Sequence, residues 1–318
     1  MVDKMPMTPV EVAKLARTIG PQLRAEAARR GVAADLIRKQ YVFTLFLGRL
    51  FSGPTEAPWV LLGGNALLIR TGGGRFTQDV DLARESDWDD LEDVRTELQH
   101  LADRQSERDP FTFEIYKIEV HSEEDPFGYG AKTAKAKVRV SLGNAVFDQF
   151  SIDITSRRHV DSPVDMIPLR AVIDHHTLAD LPRVPTTPAE NHLADKVCAM
   201  YELHGPSSLP STRYRDLADI VRLIRAAELD AARLIQVLRR EEGRRKITLP
   251  LDMTPPAPEW EIRFAIAARG FAEYPTDLHP LAASLTAAAA CLTPILSGER
   301  TDGTWMPESA TWTDAAKK

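Results

Sequence analysis

The chain has 318 residues, with 40 Lys and Arg against 46 Asp and Glu and a net charge of −6. That length fits one large domain or two ordinary ones, and a hydrophobic content of 43% is that of a soluble globular protein. The acidic balance argues against a dedicated nucleic-acid-binding domain, and two cysteines, Cys198 and Cys291, are too few for a disulfide framework or a zinc set.

Residues 8–48 carry apolar positions at spacings of three and four, which predicts helices over VEVAKLARTI, LRAEAARRG and ADLIRKQYVFTLFLGRLF. The short run WVLL, stopped by Gly63-Gly64, reads as a strand leading into a turn. NALLIRTG is a short helix closed by Gly72. FTQDVDLA alternates and predicts a strand. SDWDDLEDVRTELQHLADR predicts a helix with Ser86 or Asp87 as its N-cap. FTFEIYKIEVH, AKAKVRVSL and VFDQFSIDIT are three further strands. Five prolines between Pro163 and Pro188 mark a connecting region, and beyond it the pattern is almost entirely helical. The expected boundary therefore divides an α/β unit, 1–165, from a helical unit, 166–318. No charged and apolar leader opens the sequence. LAASLTAAAACLTPIL (281–296) is too short and too rich in Ser and Thr for a membrane span, so it reads as a packed helix. A reducing cytoplasm and a monomer are the expectations.

Side chains alternate across a strand, so Asp79 and Asp81 share one face while Val80 and Leu82 face the core. Asp153, between Ile152 and Ile154, falls on the polar face of its own strand. If the two strands are neighbours, three carboxylates converge, and a divalent cation would relieve their repulsion. Mg²⁺ takes one or two carboxylates plus substrate phosphates. Solvent-facing aspartates on an edge strand are the alternative reading of a lone DxD. The Gly63-Gly64 pair opening a helix offers close backbone approach to a phosphate. GxxxxGK[ST] and GxGxxG are both absent, which excludes a P-loop and a Rossmann fingerprint. Downstream, Lys196 and Asp216 each sit at the rim of an apolar helix stripe and can face one cleft. His175-His176 lacks further ligands at metal spacing and reads as surface loop or helix.

The order glycine pair, helix, DVD strand and a later SID strand resembles the polymerase-β-like nucleotidyltransferases. Together with LADK (193–196) and RYRDLAD (213–219), it resembles the AbiEii/AbiGii-type nucleotidyltransferase toxins of toxin–antitoxin and abortive-infection modules. The likeness runs from about residue 60 to 225. It extends more weakly through PEWEIRF and GTWMPESATW, which are similar to the family's tryptophan-bearing helical end. The resemblance implies a mixed-sheet nucleotidyltransferase domain followed by a helical domain. It also implies Mg²⁺ on Asp79 and Asp81, with Asp153 as a third acidic position, and an NTP whose phosphates lie over Gly63-Gly64. Lys196 would neutralise triphosphate charge, and Asp216 matches the family's last acidic motif. Asn65 stands where many members have Ser or Thr, and its amide would take over the phosphate contact. Arg75 and Thr77 lie on the approach to Asp79.

The acceptor that the resemblance implies is the 3′ end of tRNA, with a cognate antitoxin encoded nearby. Lys135, Lys137 and Arg139 put three cations on one strand face, and with Arg239, Arg244 and Arg245 they form a candidate acceptor-stem surface. A protein acceptor (AMPylation-like), a small molecule such as an aminoglycoside, or a non-catalytic binding protein are the competing readings.

Overall fold

The computed structural model describes residues 8–53, 58–73, 76–104, 109–122, 132–156, 163–271 and 273–314. Helix α1 (Pro9–Arg30) starts at a capping box, in which Thr8 and Glu11 bond reciprocally, and ends on Gly31 in the left-handed region. It is one helix where two were expected. Pro21 does not break it, because Leu15, Ile19, Leu23 and Ala27 form one buried stripe across that point. α2 (Ala34–Phe51) follows and is buried along most of its length.

The sheet then begins with β1 (Trp59–Leu61), α3 (Gly63–Thr71), β2 (Asp79–Arg84) and α4 (Leu91–Ala102). α4 is capped by Asp90 rather than by Ser86 or Asp87. Trp88 is buried in the core, and Arg84 bonds the carbonyls of Ser86 and Asp87, which keeps that segment out of the helix. β3 (Phe111–Ser122), β4 (Thr133–Leu142) and β5 (Ala145–Ser156) form the long antiparallel half of the sheet. β6 (Asp165–Pro168) and β7 (Arg183–Thr186) complete it, giving the order β3-β4-β5-β2-β1-β7-β6. The sheet is mixed: β2 runs parallel to β5 and β1 parallel to β7, while the other pairs are antiparallel.

Leu169, Val172, Ile173, Leu178 and Val184 belong to the core beneath this sheet, and the second core, which Leu67 of α3 also joins, is otherwise built from Ala189 onward. The sheet thus draws on residues past 166, and the change of core falls between Val184 and Ala189. The second core gathers α5 (Ala189–Tyr201), α6 (Tyr214–Ile224), α7 (Ala231–Arg245), α8 (Trp260–Arg269) and α9 (Leu281–Leu296). β8 (Leu203–His204) and β9 (Leu209–Pro210) form a small hairpin between α5 and α6. β10 (Leu229–Asp230) pairs with β11 (Thr304–Met306), which pairs with β12 (Thr311–Thr313). The GTWMPESATW segment is therefore a β-hairpin, not part of a helix. Trp305 and Trp312 face each other across it and donate their indole N–H groups to the Ile224 and Cys291 carbonyls. Among the described residues, no helix is long and apolar enough to cross a membrane.

Candidate active site

Strand register assembles the first wall of the site. β2 lies between β1 and β5, and Asp81 pairs with Asp153 while Asp79 pairs with Ser151. On the next strand, Lys135 stands opposite Asp153 and Lys137 opposite Ser151. A polar row Lys135–Asp153–Asp81 thus crosses three strands, backed on the opposite face by fully buried Val80, Leu82, Ile152 and Ile154. Lys135 Nζ lies 2.9 Å from Asp153 Oδ1. That bond, reinforced by Asp79 and Asp81, holds the Lys135 ammonium above its usual range.

The turn from β1 into α3 closes over Asp81. Leu62 N–H donates to the Asp81 backbone carbonyl at 2.9 Å. Gly63 has φ +58°, and a Cβ there would stand 2.0 Å from Asp81 Oδ2, so any side chain would displace the carboxylate. The Gly64 N–H donates to the Asp81 carboxylate. Burial, followed by the charges of Asp79 and Asp153, nonetheless pushes the Asp81 carboxyl up to about 6. Thr77 is buried and donates its hydroxyl to Asp79 Oδ1 at 2.8 Å. Asn65 is 2% exposed and donates its amide to the Asp79 carbonyl at 2.7 Å. Through that bond Asn65, expected at the phosphates, ties α3 to β2 beneath the site. Arg75 lies outside the described residues.

The second wall is α5 and α6. Lys196 is buried and bonds Asp216 Oδ1 at 2.8 Å and Asp219 Oδ2 at 2.9 Å. Burial alone would depress its ammonium, but Asp219 and Asp216 outweigh that and raise it. Arg213 adds a second cation on Asp216 Oδ2. Asp219 is the member of this group that the sequence reading missed. Its signal was a second aspartate three residues after Asp216, on the same helix face.

Between the walls lies a cleft of about 560 Å³, lined among others by Gly63, Gly64, Asp81, Lys135, Asp153 and Lys196. The structure so brings Gly63, Gly64, Asp81, Asp153 and Lys196 to one cavity, with Asp79 beside Asp81 on the same strand face and Asp216 behind Lys196. The expected basic surface does not assemble as one patch. Lys137 bonds Ser151 Oγ, and Arg139 pairs with Glu114 and sits over the Tyr116 ring. Arg239 is exposed on α7. Arg244 and Arg245 turn inward instead: Arg244 pairs with Glu241, and Arg245 with Asp195 and Glu202. His175 accepts from the Thr177 N–H in a short 3-10 turn, within a network that reaches Tyr41.

No group of three or more His, Cys, Asp or Glu among the described residues is arranged as a ready cage for a metal ion. Asp153, expected as a third metal ligand, shares the face of Asp81 but is bonded by Lys135.

The family model for the nucleotidyl transferase AbiEii toxin of type IV toxin–antitoxin systems matches residues 45–289, well over half of the chain. Among solved structures, the chain is similar to MenT4, a nucleotidyltransferase toxin from Mycobacterium tuberculosis H37Rv, at 17% identity and a TM-score of 0.49, covering 86% of this chain and 89% of that one. It is also similar to JHP933 from Helicobacter pylori, at 12% identity and a TM-score of 0.46, covering 84% and 94%. No curated protein matches.

Proposed function

We propose that this chain, which belongs to the nucleotidyl transferase AbiEii toxin family, transfers a nucleotide from an NTP to the 3′ end of tRNA and so blocks translation. The observation that carries the reading is the composition of the cleft. One wall holds a glycine-led helix N-terminus and converging carboxylates, and the other holds a buried lysine.

The donor set fits Mg²⁺. Mg²⁺ keeps several waters and takes one or two carboxylates plus substrate phosphates, so a complete protein cage is not required. Burial raises Asp81 most, and the charges of Asp79 and Asp153 add to it; that excess of negative charge is what a divalent ion would offset. Asp79 and Asp81 would hold it, and when bound it would supply positive charge to the triphosphate.

The remaining roles fall to the chain's own groups. The backbone at Gly63 and Gly64 receives the phosphates at the start of α3. Lys196 offsets the charge that develops on the leaving group. Asp153 orients the acceptor hydroxyl through the carboxylate oxygen that Lys135 does not bond, whereas both oxygens of Asp216 are held, by Lys196 and by Arg213. The acceptor oxygen bonds to the α-phosphorus, and its proton passes to Asp153 or solvent. The bond from the α-phosphorus to the bridging oxygen breaks, and pyrophosphate leaves with that electron pair. Lys137, bonded to the neutral Ser151, and the exposed Arg239 offer cationic charge to a polyanionic acceptor, while Lys135 and Arg139 are met by Asp153 and Glu114. The toxin is a cytoplasmic monomer held in check by an antitoxin from a neighbouring gene.

Incubating the protein with labelled NTPs, Mg²⁺ and total tRNA tests this. Label is expected on the 3′ end of tRNA. Label on protein instead would establish an AMPylation-like activity, and label on an aminoglycoside a small-molecule transferase.

A further inference from the structure

One side chain that lines the cleft stands outside the ion pairs around it. His192 lies one helical turn before Lys196 on α5 and is 5% exposed. Neither of its ring nitrogens has a hydrogen-bond partner among the described residues. Buried polar atoms are nearly always bonded, and an orphan in a cleft is a group whose partner arrives with a ligand.

The charges that face His192 are Lys196 and Asp195 on its own helix, Asp219 on α6 and Arg70 on α3. Burial, then Lys196, pushes its pKa down to about 4. The ring is therefore neutral near pH 7 and carries one N–H donor whichever tautomer is present.

The spacing of four residues sets His192 and Lys196 on one side of α5. Across the cleft from them is the N-terminus of α3 at Gly63-Gly64. A lysine and a helix N-terminus on opposite walls are matched by one ligand chemistry, a polyphosphate. We propose that His192 is a nucleotide-binding residue whose imidazole N–H donates to a non-bridging oxygen of the polyphosphate, beside Lys196. The inference rests on the nucleotidyltransferase reading above and adds to it a contact that none of the sequence motifs contains.

Calorimetric titration of the full chain with each NTP, and separately with tripolyphosphate, both with Mg²⁺, tests it. His192→Leu keeps the side chain's bulk and removes the donor. It should weaken NTP and tripolyphosphate alike by about tenfold, the effect of one hydrogen bond. His192→Gln, which retains a donor, should stay within about threefold of wild type. Wild-type affinity in His192→Leu overturns the proposal. A loss confined to NTPs overturns the phosphate contact, since tripolyphosphate has no nucleoside. Should His192→Leu fail to fold, the ring ¹⁵N shifts of wild-type His192 decide: movement on adding tripolyphosphate supports the contact, and none overturns it. If wild type binds neither ligand, the nucleotidyltransferase reading itself fails and takes the inference with it.

Discussion

The two walls of the cleft handle charge in opposite ways. On the sheet side, Asp79, Asp81 and Asp153 crowd together with Lys135 as the cation of their row, and burial, then the two neighbouring carboxylates, pushes the Asp81 carboxyl up to about 6. On the helical side, Lys196 and Arg213 stand against Asp216 and Asp219, so each charge there meets an opposite one at bonding distance. The two walls therefore hold their charges under different constraints, although both line the cleft. The sheet wall is under electrostatic tension that a bound cation would relieve. The helical wall is already balanced, and its ion pairs join α5 to α6 in the second core.

The sharpest way to break this contrast is to remove one charge from each wall. Asp79→Ala should cut nucleotide transfer by a factor of about 100 or more, the scale seen when one pre-organised group is lost from a reacting centre. Its stability should stay within about 1 kcal/mol of wild type, because the substitution relieves repulsion as well as removing the Thr77 bond. A transfer assay beside a urea melt checks both halves of that expectation. Lys196→Ala should do the reverse in the melt. It leaves buried Asp219 without its cation and Asp216 with Arg213 alone, which costs about 3–5 kcal/mol. If Lys196→Ala melts like wild type, the helical wall is not the support described here.

A smaller effect sharpens the comparison through pH. Asp81 has its pKa raised from 3.8 to about 6, so the folded state holds a proton that the unfolded chain has lost. Stability should therefore fall as pH rises from about 4 to 6 and level off above. His192 runs the other way: with its pKa lowered from 6.5 to about 4, its contribution rises over pH 4–6.5. The two slopes oppose each other, so wild type should be nearly flat in this range. Asp81→Asn should expose the rising slope and His192→Gln the falling one, each measured by denaturant melts at half-unit steps of pH.

Much of the sheet wall was legible in the sequence because strand alternation is local. Val80 and Leu82 against Asp79 and Asp81, and Ile152 and Ile154 against Asp153, state their faces without any tertiary knowledge. What alternation cannot state is register, and it is register that sets Asp81 beside Asp153 and Lys135 beside both. β6 and β7 were hidden by prolines. Pro168 and Pro185 read as linker, yet β6 forms the edge of the sheet, where a missing donor is tolerated. The tryptophan hairpin at the C-terminal end was masked by its family likeness to a helical region, although Thr-Trp-Met and Thr-Trp-Thr have strand composition. Asn65 illustrates another limit. A polar residue after a glycine pair looks like a ligand contact, and its 2% exposure and its bracing bond to the Asp79 carbonyl are not visible in the sequence. His192 had no motif to announce it, and its interest comes wholly from burial without a partner.

α3 ends the comparison by belonging to both walls. Ala66 and Ile69 pack into the core beneath the sheet, while Leu67, between them, packs into the helical core. Arg70 on the same helix bonds Asp165 on β6 and the Thr187 carbonyl just past β7. The nine-residue helix is therefore a keystone, wedged between two masses and loaded from each. Its first residues, Gly63 and Gly64, are the edge of the cleft. Neither core alone therefore sets where that edge lies; both must pack for the phosphate end of the cleft to take its shape.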